Sequence, residues 1–311
     1  MPSQLQIRTV GEPTGPTSRH IVMRTLDAPF LGRVAVRRGV LTTHELRKNF
    51  VPVYRGVYVR RGTQLSLRLR IEAALIWSRD PATVAGLAAS ALHGSKWVDE
   101  DIPVELNRHG QRAVSGIVVR AERLLGDEVC HVRGLRVTTP ARTAFDLGRW
   151  LDFDRAVEAV DALMNASGVK SADVERLVHA HRGVRGLGQL REVLSLVDGG
   201  AESPPETRTR LLLIRSGLPV PETQIKIVDT YGHAHIRLDL GWRRWKVAVE
   251  YDGEHHWATP RQRSRDIDRL AELEAMGWRV VRVSAELLAQ RPHIVVARVR
   301  QAIEAASNLQ V

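Results

Sequence analysis

The sequence lacks the residues that build disulfide frameworks and membrane spans. Cys130 is the only cysteine among 311 residues, which excludes an intramolecular disulfide and a cysteine-rich zinc module. No apolar run approaches the ~20 residues that a helix needs to cross a bilayer. The N-terminal residues contain no hydrophobic segment typical of a signal peptide. We therefore expect a soluble protein of the reducing cytoplasm with no membrane partner.

Lysine is also scarce, so the positive charge is almost all arginine. The chain has 46 Lys and Arg against 35 Asp and Glu, a formal net charge of +11, and only five of these cations are lysines. Such a balance favours a polyanionic partner, for which nucleic acid is the main candidate. Guanidinium groups can hold phosphate through two hydrogen bonds, although a preference for arginine also follows from a G+C-rich genome.

The chain is long enough for two domains, each with a core of its own, and its composition is that of a globular protein. We expect an α/β (α+β) fold with a mainly helical N-terminal region and a C-terminal mixed-sheet sandwich flanked by helices. The Gly- and Pro-rich stretch from Asp198 to Pro205 indicates the main boundary. The expected divisions are a loose leader over 1–24, a winged-helix-like module over 25–65, a helical α+β region over 66–198 and a last domain over 199–311.

A short helix followed by a basic hairpin is predicted near the N-terminus. Thr42 and Glu45 have the spacing of a capping box, which predicts a helix from there to about Asn49. Two Val- and Tyr-rich strands around Gly56 follow it. This arrangement resembles a winged helix-turn-helix, in which three arginines of the hairpin would contact the DNA backbone: Arg55, Arg60 and Arg61. A structural hairpin with solvated arginines is the alternative. Further along, Thr83 to His93 is predicted to form a single helix.

Acidic residues alternate with apolar ones in two neighbouring strands near the C-terminus. The stretch IRLDLGW places Asp239 between Leu238 and Leu240, and the stretch KVAVEYD places Glu250 and Asp252 on the face opposite Val249 and Tyr251. The connection between them is short, so we expect the strands to be antiparallel neighbours. Three carboxylates would then converge on one site. Unpaired charges at such positions are costly to bury, and a bound cation relieves that cost.

The residues around these acids carry a resemblance to a known nuclease family. The order helix, three strands, helix, strand, helix, with GluTyrAspGly before two histidines, resembles the PD-(D/E)XK nuclease fold. It is most similar to the domain related to very-short-patch-repair (Vsr) endonucleases. The resemblance covers roughly residues 201–305 and includes GlyTrpArgValValArgVal. Upstream, ThrThrProAlaArgThrAlaPheAspLeu resembles AbiEi-type antitoxins or regulators, a fusion similar to many actinobacterial chains.

The nuclease resemblance implies a set of catalytic residues. Asp239 and Glu250 match the metal-binding acids of the family, and Glu206 matches an acid of the first helix that often completes the site. The implied cofactor is Mg²⁺ or Mn²⁺, which oxygen ligands suit. Asp252 stands where the family has a lysine, so it offers only a third metal ligand or a base. His255 or His256 would be the general base.

Basic residues near these acids are candidates for nucleic-acid contacts. A helix after the histidines places three arginines at intervals of four, and two further cations lie in or beside the acidic strands; the full set is Arg237, Lys246, Arg261, Arg265 and Arg269. Arg237 or Lys246 could instead form a structural ion pair with an acid. In the same way Asp252 followed by Gly253 forms a turn dipeptide, and the two histidines could be a structural pair.

Two classes of function are therefore open. The first is a metal-dependent DNA endonuclease that acts in DNA repair, restriction or defence against mobile elements. The second is a DNA-binding regulator or antitoxin of AbiEi type without catalysis, with a toxin as its partner. A ribonuclease is a third possibility, since the charge alone does not distinguish RNA from DNA.

Overall fold

The structure is a computed structural model that describes residues 26, 28–79, 81–110, 114–228, 234–253 and 260–308, with only the backbone of residues 234 and 260–265. The chain divides into two compact units. One contains the described residues up to Leu92 together with Val98–Thr139, and the other contains His93–Trp97 together with the residues from Pro140 onward. The mixed α/β class expected from the sequence is confirmed, since both units contain helices and the four- and five-stranded sheets are mixed.

The first unit begins with a small three-stranded sheet and two helices. Its elements are β1 (Phe30–Leu31), α1 (Gly32–Arg37), α2 (Thr43–Asn49), β2 (Phe50–Tyr54) and β3 (Val57–Arg60), with strand order β1-β3-β2. The predicted capping box is confirmed, because Thr42 Oγ1 accepts the Glu45 N–H and the Glu45 carboxylate accepts the Thr42 N–H. The hairpin is confirmed as well. Helix α1 was not predicted, so two helices precede the hairpin.

A five-stranded sheet completes the first unit. Its elements are α3 (Leu67–Ser78), β4 (Thr83–Val84), α4 (Gly86–Leu92), β5 (Val104–Asn107), β6 (Ile117–Arg120), β7 (Val129–Val132) and β8 (Leu135–Thr138), with strand order β6-β5-β4-β8-β7. The expectation of one helix from Thr83 to His93 is wrong. Thr83 and Val84 instead form a buried strand between β5 and β8. Both residues pair with β5, and Val84 also pairs with β8.

The second unit begins with four helices, α5 (Pro140–Trp150), α6 (Phe153–Ser167), α7 (Ser171–Ala180) and α8 (Leu187–Leu196). Helix α5 is almost wholly buried, and it contains the ThrThrProAlaArgThrAlaPheAspLeu stretch from Pro140 onward. Within it Arg142 and Asp146 form a buried ion pair of 2.9 Å, and Arg149 donates to the other oxygen of the same carboxylate. These residues act as a structural bridge inside the helical bundle.

The second unit continues with a four-stranded sheet between helices. Its elements are α9 (Pro204–Arg215), β9 (Glu222–Val228), β10 (Ala234–Trp242), β11 (Val247–Asp252), α10 (Pro260–Ala275), β12 (Arg279–Ser284), α11 (Ala285–Gln290) and α12 (Pro292–Ser307). The order is β12-β11-β10-β9, in which only the β11–β12 pair is parallel. Leu213 of α9 packs with Val249 and with Val295 of α12, while Leu273 of α10 packs with Leu238 and Ala248 in a separate cluster.

A buried polar network joins α6 to α9. The Asp161 carboxylate accepts hydrogen bonds from the Arg210 guanidinium at 2.7 Å, the Thr207 hydroxyl at 2.8 Å and the Asp198 N–H at 2.6 Å. Burial raises the pKa of Asp161 to about 6, although the Arg210 charge opposes the shift. The helices upstream of residue 198 and the sheet downstream of it therefore belong to one packed unit.

In the part of the chain that the structure describes, no helix combines the length and the apolar character needed to cross a membrane.

Candidate active site

Two carboxylates lie side by side on neighbouring antiparallel strands. Leu240 pairs with Val249 across β10 and β11, so the next step of the same register places Asp239 opposite Glu250. The Tyr251 N–H donates to Asp239 Oδ2 at 3.1 Å, which fixes the Asp239 side chain against β11. Antiparallel pairing of the two strands is confirmed.

These acids line a cavity of about 200 Å³ at the C-terminal end of β11. Helix α10 closes one side of the cavity and β12 contributes to another. The charged residues of its wall are Asp239, Glu250, Asp252, Asp266, Arg269 and Arg282. The three strand carboxylates singled out in the sequence are thus brought to one cavity, together with two arginines.

Two arginines neutralise two of the three strand acids. Arg269 of α10 donates through both terminal nitrogens to the two oxygens of Glu250, with 3.0 Å for the Nη1–Oε2 distance. The same guanidinium donates to the Arg237 carbonyl at 2.9 Å. Arg282 of β12 pairs with Asp252. Cations therefore stand beside Glu250 and Asp252, although no lysine lies on this end of the strand.

Among the side chains that the structure describes, none forms an ion pair with Asp239, and the pKa of this carboxyl is perturbed. Burial is the largest cause that raises its pKa, to about 6, and the nearby negative charge of Glu206 is the next. The charge of Glu250 acts in the same direction, whereas the Tyr251 N–H and the Arg269 charge act against it. A cleft carboxylate shifted by burial and by like charges is typical of functional sites.

Glu206 is held in the first turn of α9. Its oxygens accept the Ser203 hydroxyl at 2.8 Å and the Glu202 N–H at 2.9 Å, and the Ser203 Oγ in turn caps the helix at the Glu206 N–H. The Gln224 side-chain amide donates to Glu206 at 3.2 Å. The negative charge of Glu206 therefore acts on Asp239, but the oxygens of Glu206 accept hydrogen bonds around the start of the helix.

The other predicted residues have varied positions. Arg237 forms an ion pair with Glu202, and Lys246 donates to the Met276 carbonyl at the opposite end of β11 from Asp252. Arg61 donates to the last carbonyls of α2, Arg60 lies over the Phe50 ring, and Arg55 is exposed in the hairpin turn. His255 and His256 lie outside the described residues, as do the side chains of Arg261 and Arg265.

Three residues of the site were not predicted. Arg282 faces Glu250 and Asp252 only because β12 pairs in parallel with β11, and Asp266 lines the cavity from α10. Gln224 has a positive φ of 50°, which is uncommon for a residue with a side chain, and its buried Oε1 has no hydrogen-bond partner among the described residues. The sequence gives only a weak indication of Arg282, an arginine within the valine-rich strand β12, and no indication of Gln224.

The donor set suits a hard divalent cation in its chemistry. Asp239 and Glu250 offer carboxylate oxygens, and positive charge would offset the burial and the like charges that raise the pKa of Asp239. Among the residues described here, however, no group of three or more His, Cys, Asp or Glu side chains is arranged to hold a metal ion. The Arg269 guanidinium takes both oxygens of Glu250, so an ion at Asp239 would share Glu250 with Arg269.

Comparison with known proteins places the chain in a family. It is 31% identical over 257 residues to the uncharacterized protein Rv2248 of Mycobacterium tuberculosis strain ATCC 25618 / H37Rv, an alignment covering 82% of this chain and 93% of that protein. The same identity and coverage hold for the uncharacterized protein MT2308 of strain CDC 1551 / Oshkosh. The chain belongs to the family of these mycobacterial proteins.

Two domain families match separate parts of this family member. The AbiEi antitoxin C-terminal domain matches residues 74–196, and the restriction endonuclease-like family REase_MTES_1575 matches residues 220–303. The fusion expected from the sequence is confirmed in this outline. The second match contains Asp239, Glu250, Asp252 and Arg269, while Glu206 lies before it. No solved structure matches the chain.

Proposed function

We propose that the protein is a metal-dependent DNA endonuclease of Vsr-like type that hydrolyses phosphodiester bonds in DNA repair, restriction or element defence. The observation that carries the proposal is the pair Asp239 and Glu250 on adjoining strands, in which burial and then the neighbouring negative charges raise the pKa of the Asp239 carboxyl. The match of residues 220–303 to a restriction endonuclease-like domain supports it.

Asp239 and Glu250 are the residues that would hold Mg²⁺ or Mn²⁺ in this proposal, with Asp252 or Glu206 as a third acid nearby. The bound ion would polarise the scissile phosphate and lower the pKa of the attacking water. Tyr251 keeps the Asp239 carboxylate in place through its N–H. His255 or His256 remains our proposal for the general base that accepts the proton of that water.

Arg269 supplies the positive charge for which the resembled family uses a strand lysine. Its guanidinium donates to Glu250 and to the Arg237 carbonyl, so it lies beside the two acids. An arginine stays protonated and presents several donors, and negative charge builds on the phosphate during hydrolysis. Arg269 therefore holds Glu250 and stabilises that developing charge.

A cleavage assay tests the proposal directly. Supercoiled, single-stranded and mismatched DNA are incubated with the full chain and Mg²⁺ or Mn²⁺, and nicked or linear product is measured. Asp239→Ala and Glu250→Ala should each reduce the rate by at least roughly 100-fold, because they remove interactions with the reacting groups. Glu304→Ala, at an exposed acid of α12, is the matched control and should cut like the wild type. If the wild type cuts no faster than either site variant with every metal, the endonuclease proposal is wrong.

A non-catalytic regulator or antitoxin is the second candidate. It is favoured by the AbiEi match over residues 74–196 and by the arginine partners that already satisfy Glu250 and Asp252. In this case DNA binding should survive Asp239→Ala and Glu250→Ala. It should fall when Arg55 and Arg60 are both replaced by alanine, because the winged-helix-like hairpin would make the backbone contacts. Co-purification with the product of a neighbouring toxin-like gene would identify its partner. RNA in place of DNA is tested in the same assays.

A further inference from the structure

Trp97 is an exposed aromatic side chain held in an unfavourable backbone conformation. Its φ is 65°, in the left-handed region that bulky residues rarely adopt, and 61% of its surface is accessible. Local strain of this kind persists where the surrounding structure imposes it, and it is concentrated at functional positions. An indole kept in solvent at such a position points to contact with a ligand rather than to packing of the core.

A single hydrogen bond fixes the orientation of the ring. The Trp97 indole N–H donates to the Glu202 carbonyl at 2.9 Å, so the polar edge of the ring is used and the ring faces are left to apolar contact. The preceding turn lies against α6, where a Cβ on Gly94 would be 3.9 Å from Ala166. The indole is therefore a positioned surface and not a freely rotating side chain.

Glu202 connects this ring to the candidate active site. Its carbonyl accepts from Trp97, its N–H donates to Glu206, and its carboxylate pairs with Arg237. The Arg237 carbonyl accepts from Arg269, which holds Glu250. One residue thus separates Trp97 from Glu206, whose charge acts on Asp239, and from Arg237, whose carbonyl holds Arg269.

The surroundings of the ring suit a nucleic-acid strand. Lys96 is exposed beside Trp97, and the Arg237 side chain is 53% exposed on the other side of Glu202. Proteins that hold single strands combine cations for the phosphates with aromatic rings on which bases stack. A paired base inside a duplex offers no free face for such a ring.

We propose that Trp97 is a stacking platform for an unpaired base of the substrate, connected to the candidate active site through Glu202 and Arg237. This inference rests on the proposed function and narrows it, since the preferred substrate becomes a single strand, a flap or a mismatched site rather than intact duplex. The backbone strain at Trp97 is then a cost of presenting the ring to the base.

Binding measurements without cleavage test the platform. The full chain is titrated in EDTA against a fluorescently labelled single-stranded 20-mer and against its duplex, and the dissociation constants are compared. Trp97→Ala should weaken single-strand binding roughly 5- to 150-fold, the range for loss of one base–aromatic stack. Duplex binding should change less than about 2-fold. Trp97→Phe should keep most of the affinity because a ring remains.

Two further comparisons separate stacking from folding. Trp97→Gly removes the ring and relieves the positive φ, so it should be at least as thermally stable as the wild type and still bind the single strand weakly. An abasic strand should bind the wild type and Trp97→Ala equally, because the base that would stack is missing. Val220→Ala, at another exposed apolar residue of this unit, is the control for surface hydrophobicity and should bind like the wild type.

The inference is overturned if Trp97→Ala binds the single strand as tightly as the wild type, which would leave the ring for a protein partner. The inference is also overturned if Trp97→Ala loses the same affinity for the single strand, the duplex and the abasic strand. Because these titrations need no cleavage, they distinguish the two proposals. Weaker single-strand binding by Trp97→Ala, together with no cleavage by the wild type, would support the platform and contradict the endonuclease. Cleavage by the wild type, together with unchanged single-strand binding by Trp97→Ala, would contradict the platform.

Discussion

Asp239 and Glu250 are neighbours in the sheet, yet their electrostatic situations are opposite. Glu250 has both oxygens on the Arg269 guanidinium, whereas Asp239 accepts the Tyr251 N–H and faces the charges of Glu206 and Glu250. The Asp239 carboxyl is therefore costly to ionise. A fold stabilised only by its contacts would gain from a neutral side chain at this position, so the charge is best explained by function.

Removal of this charge should stabilise the protein. The pKa of Asp239 is raised to about 6, so the folded state binds its proton more tightly than the unfolded chain does, and ionisation above that pH destabilises the fold. Asp239→Asn should raise the free energy of unfolding at pH 8 by up to about 3 kcal/mol. The gain should disappear below about pH 4, where the carboxyl is neutral in both states. Urea unfolding from pH 4 to pH 8 measures it, and a variant no more stable than the wild type at pH 8 would contradict the shift.

Single residues were predictable from the sequence where alternation in a strand decides their direction. Asp239, Glu250 and Asp252 meet at one cavity for that reason. Arg269 was identified from its helical spacing as a phosphate contact, but its bond to Glu250 depends on how α10 packs on the sheet. Gln224 and Arg282 depend on a bend in β9 and on the parallel pairing of β12, which no local pattern encodes.

At the scale of elements, long amphipathic or alternating segments were predictable and short buried ones were not. The strands β10 and β11 and the helix α2 are confirmed, because apolar alternation marks the strands and a capping box marks the helix. Strand β4 has only two residues and exists through partners that are distant in sequence, β5 and β8. Helix α1 has six residues, and Leu31 provides no side-chain cap at its start.

The close contact of β10 with β11 depends on Gly241. A Cβ at this position would lie 2.5 Å from the Val247 carbonyl oxygen and 3.1 Å from the Ala248 Cα, both of which are backbone atoms. Gly241→Ala should therefore lower the free energy of unfolding by about 1–3 kcal/mol, the usual cost of overpacking. Thermal or urea unfolding measures the change.

Gly188→Ala is the matched control, because this glycine is exposed in α8 with nothing within 4 Å of an added Cβ. There the substitution should be neutral or should stabilise the helix by up to about 1 kcal/mol. Equal effects of the two substitutions would show that the strand contact at Gly241 tolerates a methyl group.

At the scale of the whole molecule, the boundaries of the two matched domain families differ from those of the compact units, because residues 140–196 of the first match lie in the same unit as the second match. The alignment with the mycobacterial relatives covers 257 residues, which is longer than either matched stretch. Within the second unit, Asp161 of α6 and Arg210 of α9 are both buried, and their bond crosses the stretch from Asp198 to Pro205 that the sequence indicates as a boundary. The domain limits expected from the sequence remain a proposal. A Gly- and Pro-rich stretch marks a break in secondary structure, and it does not report what packs across it.

Breaking this bond should destabilise the second unit strongly. Asp161→Ala leaves the Arg210 charge buried without its partner, so the free energy of unfolding should fall by about 3–5 kcal/mol. Glu158→Ala on the same helix removes an ion pair with Arg208, whose side chain is 56% exposed, and should cost less than about 1 kcal/mol. Chemical denaturation followed by tryptophan fluorescence compares the two. Similar losses would mean that the buried network contributes no more than a surface pair.

The Asp161 network also limits how such a protein can be recombined. A chimera joined near residue 200 would take Asp161 from one parent and Arg210 from the other. The helices around these residues differ between the parents, so the interior of the chimera would be mismatched. A junction near residue 140 keeps the helices and the acidic sheet from the same parent, but it takes the His93–Trp97 segment of the second unit from the other parent. Exchange of the residues before 140 therefore leaves the Asp161 network and the acidic cavity unchanged, while the hydrogen bond from Trp97 to Glu202 would join the two parents.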